Sequence, residues 1–568
     1  MPAEEAEHTI RKYALQNAVL YDGKANPKAV VGKVLADRPD LKPRAKELVP
    51  LVHQVVEEVN RMGREEQRLF LEQMDPSLLT RERGKRERSL PDLPNAIEGE
   101  VVMRFAPGPS GPLHIGHSRV AILNDEYVKR YRGTFITRIE DTNPEKIDPE
   151  AYRAIPEDLD WLGVDVHQTV LQSDRFETYY EVARQLVEIG KAYVCFCDVE
   201  EWRSLKGECR PCPHREVEAG TQLDELENML NGHYSEGEAV LVVKTDLEHP
   251  NPAIRDFIGL RIVDHPHPRT GDRYSAYPMM NLSVAVDDYH LGLTHVLRGK
   301  DHLNNTLRQE YIFEYMGWET PWYHHYGFVS VPDAVLKTSK VREGIERGEY
   351  TGWDDPRLGT FRAMERRGLR PEAIRAYWVD CGMKDVDIQF SWQTLHAYNK
   401  EIVDPQADRF FMVWDPHLPL HIEGTDRLES KAPLHPDHPD RGMRRHIMHD
   451  PITLHITEKD ASLLQEEGKV RLKDLCNVEF LSRDDSIRAR YIGNDLSLLK
   501  EGARIIHWVP EDVRPCEVIS EDHPVHPLRG LCEPLPPGEK GKVIQFERFG
   551  FVKVEEIEPV VRAVFSHR

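Results

Sequence analysis

The stretch PGPSGPLHIGH, residues 107–117, brings prolines, glycines and two histidines together directly ahead of a long helical pattern. It follows the apolar run EVVMRFA and leads into SRVAILNDEYVKRYRG, which predicts a strand, a tight turn and the start of a helix. The free N–H groups at a helix start and the helix dipole favour a bound anion. His114 and His117 are three residues apart and share one face of the first turn. The turn is therefore a candidate site for a nucleotide phosphate.

The histidine turn by itself is not specific, because glycine-rich junctions occur in many nucleotide folds and both histidines could simply cap the helix. A second basic motif lies far downstream, in VLKTSKVREG. There Lys337 and Lys340 flank a threonine and a serine, in what the pattern predicts to be a loop. Each motif alone has an ordinary structural explanation, and their joint presence is the informative observation.

Four cysteines in CFCDVEEWRSLKGECRPCPHR form a third group with chemical potential. Cys195, Cys197, Cys209 and Cys212 give a C-x-C pair followed, after eleven residues, by a C-x-x-C pair. Four thiols in one short segment suit a closed tetrahedral zinc site of structural type. C-x-C is the less usual half, so His214 is an alternative ligand for one thiol, and free cysteines in a small hairpin are the competing interpretation.

These groups lie in segments with different sequence patterns. In residues 1 to about 80, apolar residues recur at intervals of three and four positions, which predicts helices. From about 100 to 195 strand and helix patterns alternate, which predicts a parallel sheet, and the alternation resumes near residue 295 after an inserted segment. Short strands between Gly, Pro and Asp turns dominate from about 405 and predict one or two β-barrels. The segment RERGKRER, residues 81–88, is either a solvated linker or a basic strap for nucleic acid.

Composition excludes several classes of protein. With 568 residues, 40% hydrophobic and 30% charged, the chain suits a multi-domain globular enzyme. It has no apolar run long enough to span a membrane and no secretory signal pattern, so we expect a cytoplasmic protein whose eight cysteines are thiols or metal ligands. The formal charge of −22 argues weakly against a nucleic-acid partner, although a local basic face is compatible with it.

The motifs together resemble a known family. HIGH at residues 114–117 and KTSK at residues 337–340 are similar to the paired signatures of class I aminoacyl-tRNA synthetases. RFAPGPSGPLHIGH, TRIEDTNP and YPMMNLSVAVDDYHLGLTHVLRGKDH resemble the glutamyl/glutaminyl branch, and the helical N-terminus with the β-rich C-terminus resembles the archaeal glutamyl-tRNA synthetases. The signature departs from the usual pattern at Thr338, where methionine is common, and at Val341, where serine is common.

The resemblance implies a multi-domain α/β fold with a Rossmann-like catalytic domain. It implies a helical N-terminal extension and linker (1–95), two catalytic halves (96–194 and 281–334), an inserted domain for the tRNA acceptor end (195–280), the KTSK segment with a helical connecting domain (335–404), and a β-barrel anticodon-binding region (405–568). It also implies ATP, Mg²⁺ and tRNA(Glu) as partners, with tRNA(Gln) left open, in a monomeric enzyme. A zinc knuckle in the inserted domain would be structural.

The family joins an amino acid to ATP and then to the terminal adenosine of tRNA, using positioning and charge stabilisation. The resemblance implies catalytic roles for His114, Gly116, His117, Lys337 and Lys340, and ATP contacts from Pro107, His114, Gly116, His117, Asp301 and Lys340. Gly116 is expected to let the nucleotide lie close to the backbone. The lysines are expected to neutralise the departing pyrophosphate from a mobile loop.

The resemblance also indicates which amino acid the enzyme would use. Glutamate and glutamine are nearly isosteric, so charge must separate them, and an arginine fork suits a carboxylate. Arg298 occupies the position where glutamyl enzymes carry an arginine against the substrate side chain. Arg104 is a substrate-binding position of the family, and Glu140 is expected to take the substrate ammonium. Tyr277 and Asn281 are four residues apart, after a helix-start proline at Pro278, which predicts a shared helical face from which both can bind the glutamate.

Three alternatives remain for the function. A glutaminyl-tRNA synthetase shares the fold and the DTNP motif, and Arg298 is the residue that discriminates against it. A non-enzymatic RNA-binding paralogue is disfavoured by the intact His114, His117 and Lys340. A small-molecule ligase or a truncated tRNA-modifying relative of the same superfamily leaves the long β-rich C-terminus without a role. The leading hypothesis is a glutamate–tRNA ligase.

Overall fold

The computed structural model describes residues 3–20, 23–38, 45–75, 90–332, 334–521 and 526–568. The chain divides into two compact units, residues 1–88 and residues 89–568. The basic segment RERGKRER, for which a linker and a nucleic-acid strap are the alternatives, lies outside the described residues. Within the described ranges, none of the helices has the length and apolar character needed to cross a membrane.

The first unit is helical, as the periodicity predicts. Its helices are α1 (Ala3–Leu20), α2 (Pro27–Asp37), α3 (Ala45–Arg61) and α4 (Arg64–Met74). They pack around buried side chains such as Ile10, Val30, Val55 and Val59. The sequence pattern does not single out α2, and it runs α3 and α4 together. Gly63 is the N-cap of α4 and separates them, because glycine is a poor helix former.

The second unit begins with the parallel sheet that the strand–helix alternation predicts. Its first elements are β1 (Val102–Phe105), α5 (Ile115–Tyr131), β2 (Thr134–Ile139), α6 (Ala151–Trp161), β3 (Gln168–Leu171) and α7 (Phe176–Glu188). β2 pairs in parallel with both β1 and β3. The apolar side chains of α5, including Ile122 and Tyr127, share a buried core with Met103 and Phe135 of the strands. This packing fixes the start of α5 at the end of β1.

An antiparallel sheet follows in the segment that the sequence predicts to be an insertion. The segment comprises β4 (Ala192–Cys195), α8 (Val199–Gly207), α9 (Ala219–Leu230), β5 (Val240–Val243), β6 (Phe257–Ile262) and β7 (Ala276–Pro278). The four strands pair in chain order. Their apolar faces join a core with α7, and Leu226 and Met229 of α9 cover it.

The chain then returns to the side of the β1–β3 sheet through α10 (Met280–His290), β8 (His295–Gly299), α11 (Leu303–Met316) and β9 (Trp322–Tyr326). β8 and β9 pair in parallel. The amide of Thr294 donates to the carbonyl of Val102 at 3.0 Å, which joins the start of β8 to the start of β1. The carboxyl ends of β1 and β8 therefore meet at one edge of the sheet, where ligands bind in open α/β folds.

The KTSK segment departs from the prediction of a loop. The connecting elements are β10 (Val329–Ser330), α12 (Thr338–Glu346), α13 (Phe361–Arg366), α14 (Pro371–Cys381), β11 (Ile388–Gln389) and α15 (Trp392–Val403). Lys337 is the N-cap of α12, so Thr338 to Lys340 form its first turn. The helix is held by burial of Val341 beside Leu358. An apolar side chain at position 341 therefore anchors the segment as a helix.

The C-terminal region consists of barrel-like sheets, as predicted. One seven-stranded sheet contains β12 (Arg409–Phe410), β13 (Met412–Trp414), β23 (Arg514–Ile519), β24 (Leu528–Cys532), β25 (Val543–Phe546), β26 (Gly550–Glu556) and β27 (Val561–His567). The other contains β14 (His417–Glu423), β17 (Ile452–Thr457), β18 (Lys469–Leu472), β19 (Cys476–Arg483), β20 (Ile487–Tyr491), β21 (Ile505–Ile506) and β22 (Val509–Pro510). A ribbon of β15 (Arg427–Pro433) and β16 (Met443–His449), with helices α16 (Glu458–Glu467) and α17 (Ser497–Lys500), completes the region.

Candidate active site

The histidine turn begins α5 with a reciprocal cap. His114 is the N-cap, and its Nδ1 accepts a hydrogen bond from the Gly116 amide at 3.1 Å. His117 Nδ1 in turn accepts from the His114 amide at 3.2 Å. The two rings stack with centroids 3.8 Å apart. The capping interpretation of the histidines is therefore correct as geometry, and the caps also fix the direction of both rings.

Both imidazoles are held in the neutral state. Burial lowers the pKa of His114 to about 4, and burial together with His114 lowers the pKa of His117 well below its ordinary value. In a neutral ring whose Nδ1 accepts a hydrogen bond, the proton lies on Nε2. Each ring therefore offers an Nε2–H donor, which suits a phosphate or ribose oxygen without adding a positive charge.

Gly116 is constrained by the protein itself. A Cβ at this position would lie 2.9 Å from Cε1 and 3.0 Å from Nδ1 of His114. The sequence argument gave close approach of a nucleotide as the reason for glycine. The structure shows a more local reason, since a methyl group would push on the ring that caps the helix.

The turn is also tied to two other elements. Asp158 of α6 accepts a hydrogen bond from the Leu113 amide at 2.7 Å, and burial raises the pKa of that carboxyl to about 6. On the other side, a Cβ at Gly111 would lie 2.5 Å from Cγ2 of Thr338, at the start of α12. The first turn of the KTSK helix therefore packs directly against the glycine-rich turn.

Arg342 strengthens this contact between the two motifs. Its guanidinium donates to the carbonyl of Ser110 at 2.7 Å and to the carboxylate of Asp148 at 2.8 Å. The two predicted lysines of α12, Lys337 and Lys340, lie at the surface of the helix start, and neither forms an ion pair with another described residue. α12 thus presents two cations that have no anionic partner in the described parts of the chain.

One pocket gathers much of the predicted substrate site. The predicted residues among its lining are Arg104, Pro107, His117, Glu140 and Arg298. Residues that the sequence argument did not single out also line it, namely Phe105, Ala106, Gly108, Val120, Met280, Val284, Leu297, Gly299, His302 and Tyr326. Most apolar members come from the strand ends, Val120 comes from α5, and Met280 and Val284 come from one face of α10 at a spacing of four. That periodicity is visible in the sequence and could have found Met280 and Val284.

Two arginines face this pocket and have no carboxylate partner in the described parts of the chain. Arg104 and Arg298 are 6% and 5% exposed, and no ion pair joins either to a described carboxylate. Burial lowers the pKa of both, to about 10 for Arg298. Their Nε atoms are buried and have no hydrogen-bond partner. Buried guanidinium groups are normally paired, so this arrangement suits an anionic ligand.

Glu140 belongs to a buried ionic network. Arg138 donates to one Glu140 oxygen at 3.0 Å and to Asp288 at 2.6 Å, and its Nε lies 3.8 Å from Asp287. The network holds the Glu140 carboxylate at the pocket wall, while burial raises the pKa of this acid against the opposing effect of Arg138. Glu140 therefore also takes part in a structural ion pair. Sequence reasoning missed Arg138, although its i, i+2 spacing from Glu140 at the end of β2 places both on one face.

The prediction of a shared helical face for Tyr277 and Asn281 is wrong. Tyr277 lies in β7 together with Pro278, and α10 begins only at Met280. The chain is extended at the proline because Pro278 closes a strand and is not at a helix start. Neither residue lines the pocket, but Tyr277 Oη and Asn281 Oδ1 are both buried without a hydrogen-bond partner.

The remaining predicted ATP residue, Asp301, lies in a short 3₁₀ turn directly after β8. Its neighbours Gly299 and His302 line the pocket, whereas Asp301 itself does not. The side chain is half exposed and lies 3.5 Å from His302 Nε2. It is therefore at the rim of the pocket.

The structure brings together three of the four predicted cysteine ligands and one histidine, instead of four thiols. Cys195, Cys197, Cys212 and His214 have ligand atoms that all lie within 4.8 Å of one another. Cys209 is exposed, has a left-handed backbone (φ 59°), and is outside this set. The first choice of Cys209 as a ligand is thus corrected in favour of the alternative, His214.

The spacing of this cluster can be compared with zinc chemistry. Bond lengths of about 2.3 Å to sulfur and about 2.05 Å to nitrogen place tetrahedral sulfurs about 3.8 Å apart, and sulfur and nitrogen about 3.6 Å apart. Here Cys212 Sγ lies 3.5 Å from Cys195 Sγ and 3.8 Å from Cys197 Sγ. His214 Nδ1 lies 3.5 Å from Cys197 Sγ and 3.6 Å from Cys212 Sγ. The donor set fits a closed Cys₃His zinc site.

The fold and the two motifs define a nucleotide-binding α/β enzyme, and comparison with known sequences makes the class specific. The family model for "tRNA synthetases class I (E and Q), catalytic domain" matches residues 100–405. The model for "tRNA synthetases class I (E and Q), anti-codon binding domain" matches residues 407–492. The chain belongs to the class I tRNA synthetases of the E and Q group.

Relatives extend over the full length. The glutamate–tRNA ligase of Pyrococcus furiosus is 47% identical over 573 residues, covering 99% of this chain and 100% of that protein. The glutamate–tRNA ligase of Thermoplasma volcanium is 47% identical over 561 residues, with the same coverage. A crystal structure of glutamate-tRNA synthetase from Elizabethkingia anophelis is 23% identical with a TM-score of 0.38, covering 54% of this chain and 70% of that one.

Proposed function

We propose that this chain is a glutamate–tRNA ligase that uses ATP to charge tRNA(Glu). The observation that carries the choice of amino acid is the pair of buried arginines, Arg104 and Arg298, which lack carboxylate partners among the described residues. Glutamate supplies two carboxylates, whereas glutamine would leave one guanidinium desolvated and unpaired. The archaeal relatives, which carry the same activity in their names, support this assignment.

The proposed reaction has two steps. An oxygen of the glutamate α-carboxylate bonds to the α-phosphorus of ATP, and the bond from that phosphorus to the bridging oxygen breaks, releasing pyrophosphate. The 2′ oxygen of the terminal tRNA adenosine then bonds to the acyl carbon, and AMP leaves. Neither step needs a protein nucleophile, so the task of the residues is positioning and charge stabilisation.

Each predicted residue has a role in this scheme. The Nε2–H groups of His114 and His117 would hydrogen-bond ATP oxygens, and Lys337 and Lys340 would balance the charge of the pyrophosphate. The contact of α12 with the glycine-rich turn supports these lysine roles. ATP would enter as its Mg²⁺ complex. Pro107, Gly116 and Asp301 would complete the nucleotide site, as would be expected from their places in the turn and at the pocket rim.

The amino acid would lie across the pocket. Arg298 would meet the side-chain carboxylate and Glu140 the ammonium group, with Arg104 near the remaining carboxylate. Tyr277 and Asn281, which do not line the pocket, would take part only through their buried oxygens, which have no hydrogen-bond partner among the described residues. Arg138 would keep Glu140 in place, because it donates to that carboxylate from a fully buried position.

The tRNA partner is supported by a local basic surface on an acidic chain. The exposed face of the β15–β16 ribbon carries Arg427, Lys431 and Arg445, which all lie within 3.2 Å of Glu429. Three cations share one anion, so the face keeps a net positive charge that suits phosphates. Together with the anticodon-binding match, this supports an RNA-binding role for residues 405–568, within the domain layout expected from the sequence.

We propose also that Cys195, Cys197, Cys212 and His214 hold a structural Zn²⁺. The metal would stiffen the inserted segment 195–280, and the distances above support the assignment. Metal analysis of the purified protein should find about one zinc per chain. Cys212→Ser should lose it, whereas the matched control Cys209→Ser should retain it. Equal zinc content in both variants would contradict the ligand set.

The activity is tested by aminoacylation with radiolabelled glutamate or glutamine, ATP–Mg²⁺ and total archaeal tRNA. Incorporation of glutamate alone is the expected result. Incorporation of glutamine would identify the chain as a glutaminyl-tRNA synthetase instead. Incorporation of neither would favour a non-enzymatic RNA-binding protein. Purified tRNA(Glu) and tRNA(Gln), tested separately, decide whether the second tRNA is also charged.

A further inference from the structure

The guanidinium of Arg298 rests in a cradle made of uncharged groups. Its Nη1 donates to the amide oxygen of Gln309 at 2.9 Å, and its Nη2 donates to the hydroxyl of Thr306. The face of the guanidinium lies over the ring of Tyr323, 4.5 Å from the ring centroid. Gln309 is fully buried, so its contact with Arg298 is shielded from water. α11 supplies two of these groups and β9 supplies the third.

The Thr306 hydroxyl is fully used in this arrangement. It accepts from Arg298, and it lies 3.1 Å from the carbonyl oxygen of His302 and 2.7 Å from Nε2 of His325. Its single proton goes to one of these two neighbours. Burial lowers the pKa of His325 to about 4, so this ring is neutral at physiological pH. Both terminal nitrogens of the Arg298 guanidinium are therefore oriented by neutral partners.

The acids near the cradle are engaged elsewhere or lie apart. Asp288 and Glu140 both bond to Arg138, and Asp287 is held by Arg175 at 2.7 Å. Glu310 forms no ion pair with Arg298. The remaining titratable groups that act on the cradle are Arg104, Arg138 and His302, and burial lowers the pKa of His302.

The position that touches Arg298 most directly could have held a carboxylate. A glutamate at position 309 would have the shape of the glutamine and would pair with the guanidinium where it stands. Proteins usually supply such a partner to a buried guanidinium, and here the chain supplies an amide. The amide orients the fork and leaves its charge uncompensated.

We propose that Gln309 and Thr306 are positioning residues for amino-acid selection: their neutrality reserves the charge of Arg298 for an anionic substrate side chain. This inference rests on the proposed glutamate specificity. It makes the choice between glutamate and glutamine depend on groups that need not touch the substrate. The selecting unit is then Arg298 together with its uncharged cradle.

The decisive variant is Gln309→Glu, which changes charge with almost no change in shape. We expect its kcat/KM for glutamate in tRNA aminoacylation to fall about 100-fold, mainly through KM, as for loss of a buried charge pair. The value for glutamine should stay level or rise, so the ratio between the two substrates collapses. Gln309→Met is the matched control, since it loses the hydrogen bond but adds no charge, and its ratio should fall about tenfold, well short of the fall in Gln309→Glu.

A second pair of variants guards against a folding defect in Gln309→Glu, which circular dichroism would reveal. Thr306→Val should lower the glutamate-to-glutamine ratio at least tenfold, and Thr306→Ser should restore it. Unchanged ratios in Gln309→Glu, or in Thr306→Val where the former does not fold, would overturn the inference. If the parent chain itself does not charge tRNA with glutamate, the proposed function fails first, and that outcome is separate from a parent that charges normally beside insensitive variants.

Discussion

Replacing Arg298 by methionine isolates the charge that selects the substrate. Methionine keeps much of the side-chain volume and removes the guanidinium fork. The side chain of Arg298 is 5% exposed, so its interaction with a substrate carboxylate would be almost fully desolvated. Hydrogen bonds to charged groups contribute about 1.5–3 kcal/mol each, and a fork makes two of them. Two such bonds amount to a loss of about 3–6 kcal/mol, which corresponds to a fall of about 10²–10⁴ in kcat/KM for glutamate.

The same substitution should change the stability of the protein only slightly, in contrast to its large effect on activity. Burial lowers the folded-state pKa of Arg298 from 12.5 to about 10. For a base, this means that folding disfavours the charged form at every pH below about 10, by about 3 kcal/mol. The methionine side chain has no such cost, but it loses the bonds to Gln309 and Thr306, and these effects oppose each other. We therefore expect a Tm within a few degrees of the parent despite the large loss of activity.

The assay is steady-state aminoacylation of tRNA with glutamate and with glutamine, beside a thermal melt. Arg298→Lys is the control, because it keeps a positive charge but loses the planar fork, and it should lie between the parent and the methionine variant. Glutamate charging by Arg298→Met within tenfold of the parent would refute the assignment of this residue. A collapse of Tm with no change in the activity of the remaining folded fraction would refute it equally.

Three further predictions concern the nucleotide end of the site. Gly116→Ala should lower kcat/KM for ATP at least tenfold, because its methyl group would press on the His114 ring, whereas Gly220→Ala, with open space around it, should have no effect. Since the pKa of His114 is about 4, its ring should not titrate between pH 6 and 8, and an ionisation in the aminoacylation profile of that range that disappears in His114→Gln would contradict this. Arg342→Ala should raise KM for ATP several-fold while changing the unfolding free energy by less than about 1 kcal/mol, because the Asp148 pair is partly exposed; an unchanged KM would show that the contact is dispensable.

The sequence by itself determined the parts of this protein that depend on local pattern. The strand, glycine turn and helix around residues 101–131 follow from short-range periodicity and helix capping, which act within a few residues. The helical N-terminus and the β-rich C-terminus follow from the same kind of signal. The family can also be recognised from HIGH and KTSK, because the residues of each motif are adjacent in the sequence and no fold is needed to identify them.

The errors came where local pattern competes with distant packing. KTSK looks like a loop in the sequence, and it becomes the first turn of a helix because Val341 is buried beside Leu358, seventeen positions further along. Tyr277 and Asn281 fit a helical spacing, but pairing of β7 with β6 extends the chain through Pro278. Tertiary contacts override weak helix preferences in both cases.

The tertiary structure alone decided which charged groups meet. Arg104 and Arg298 are 194 positions apart, and they face one pocket because β1 and β8 run side by side. The choice of His214 over Cys209 depends on which side chains the folded loop brings within 4.8 Å of one another. The burial of Arg298, its lack of a carboxylate partner among the described residues and its neutral cradle are properties of a three-dimensional neighbourhood, and a linear sequence specifies them only through the fold.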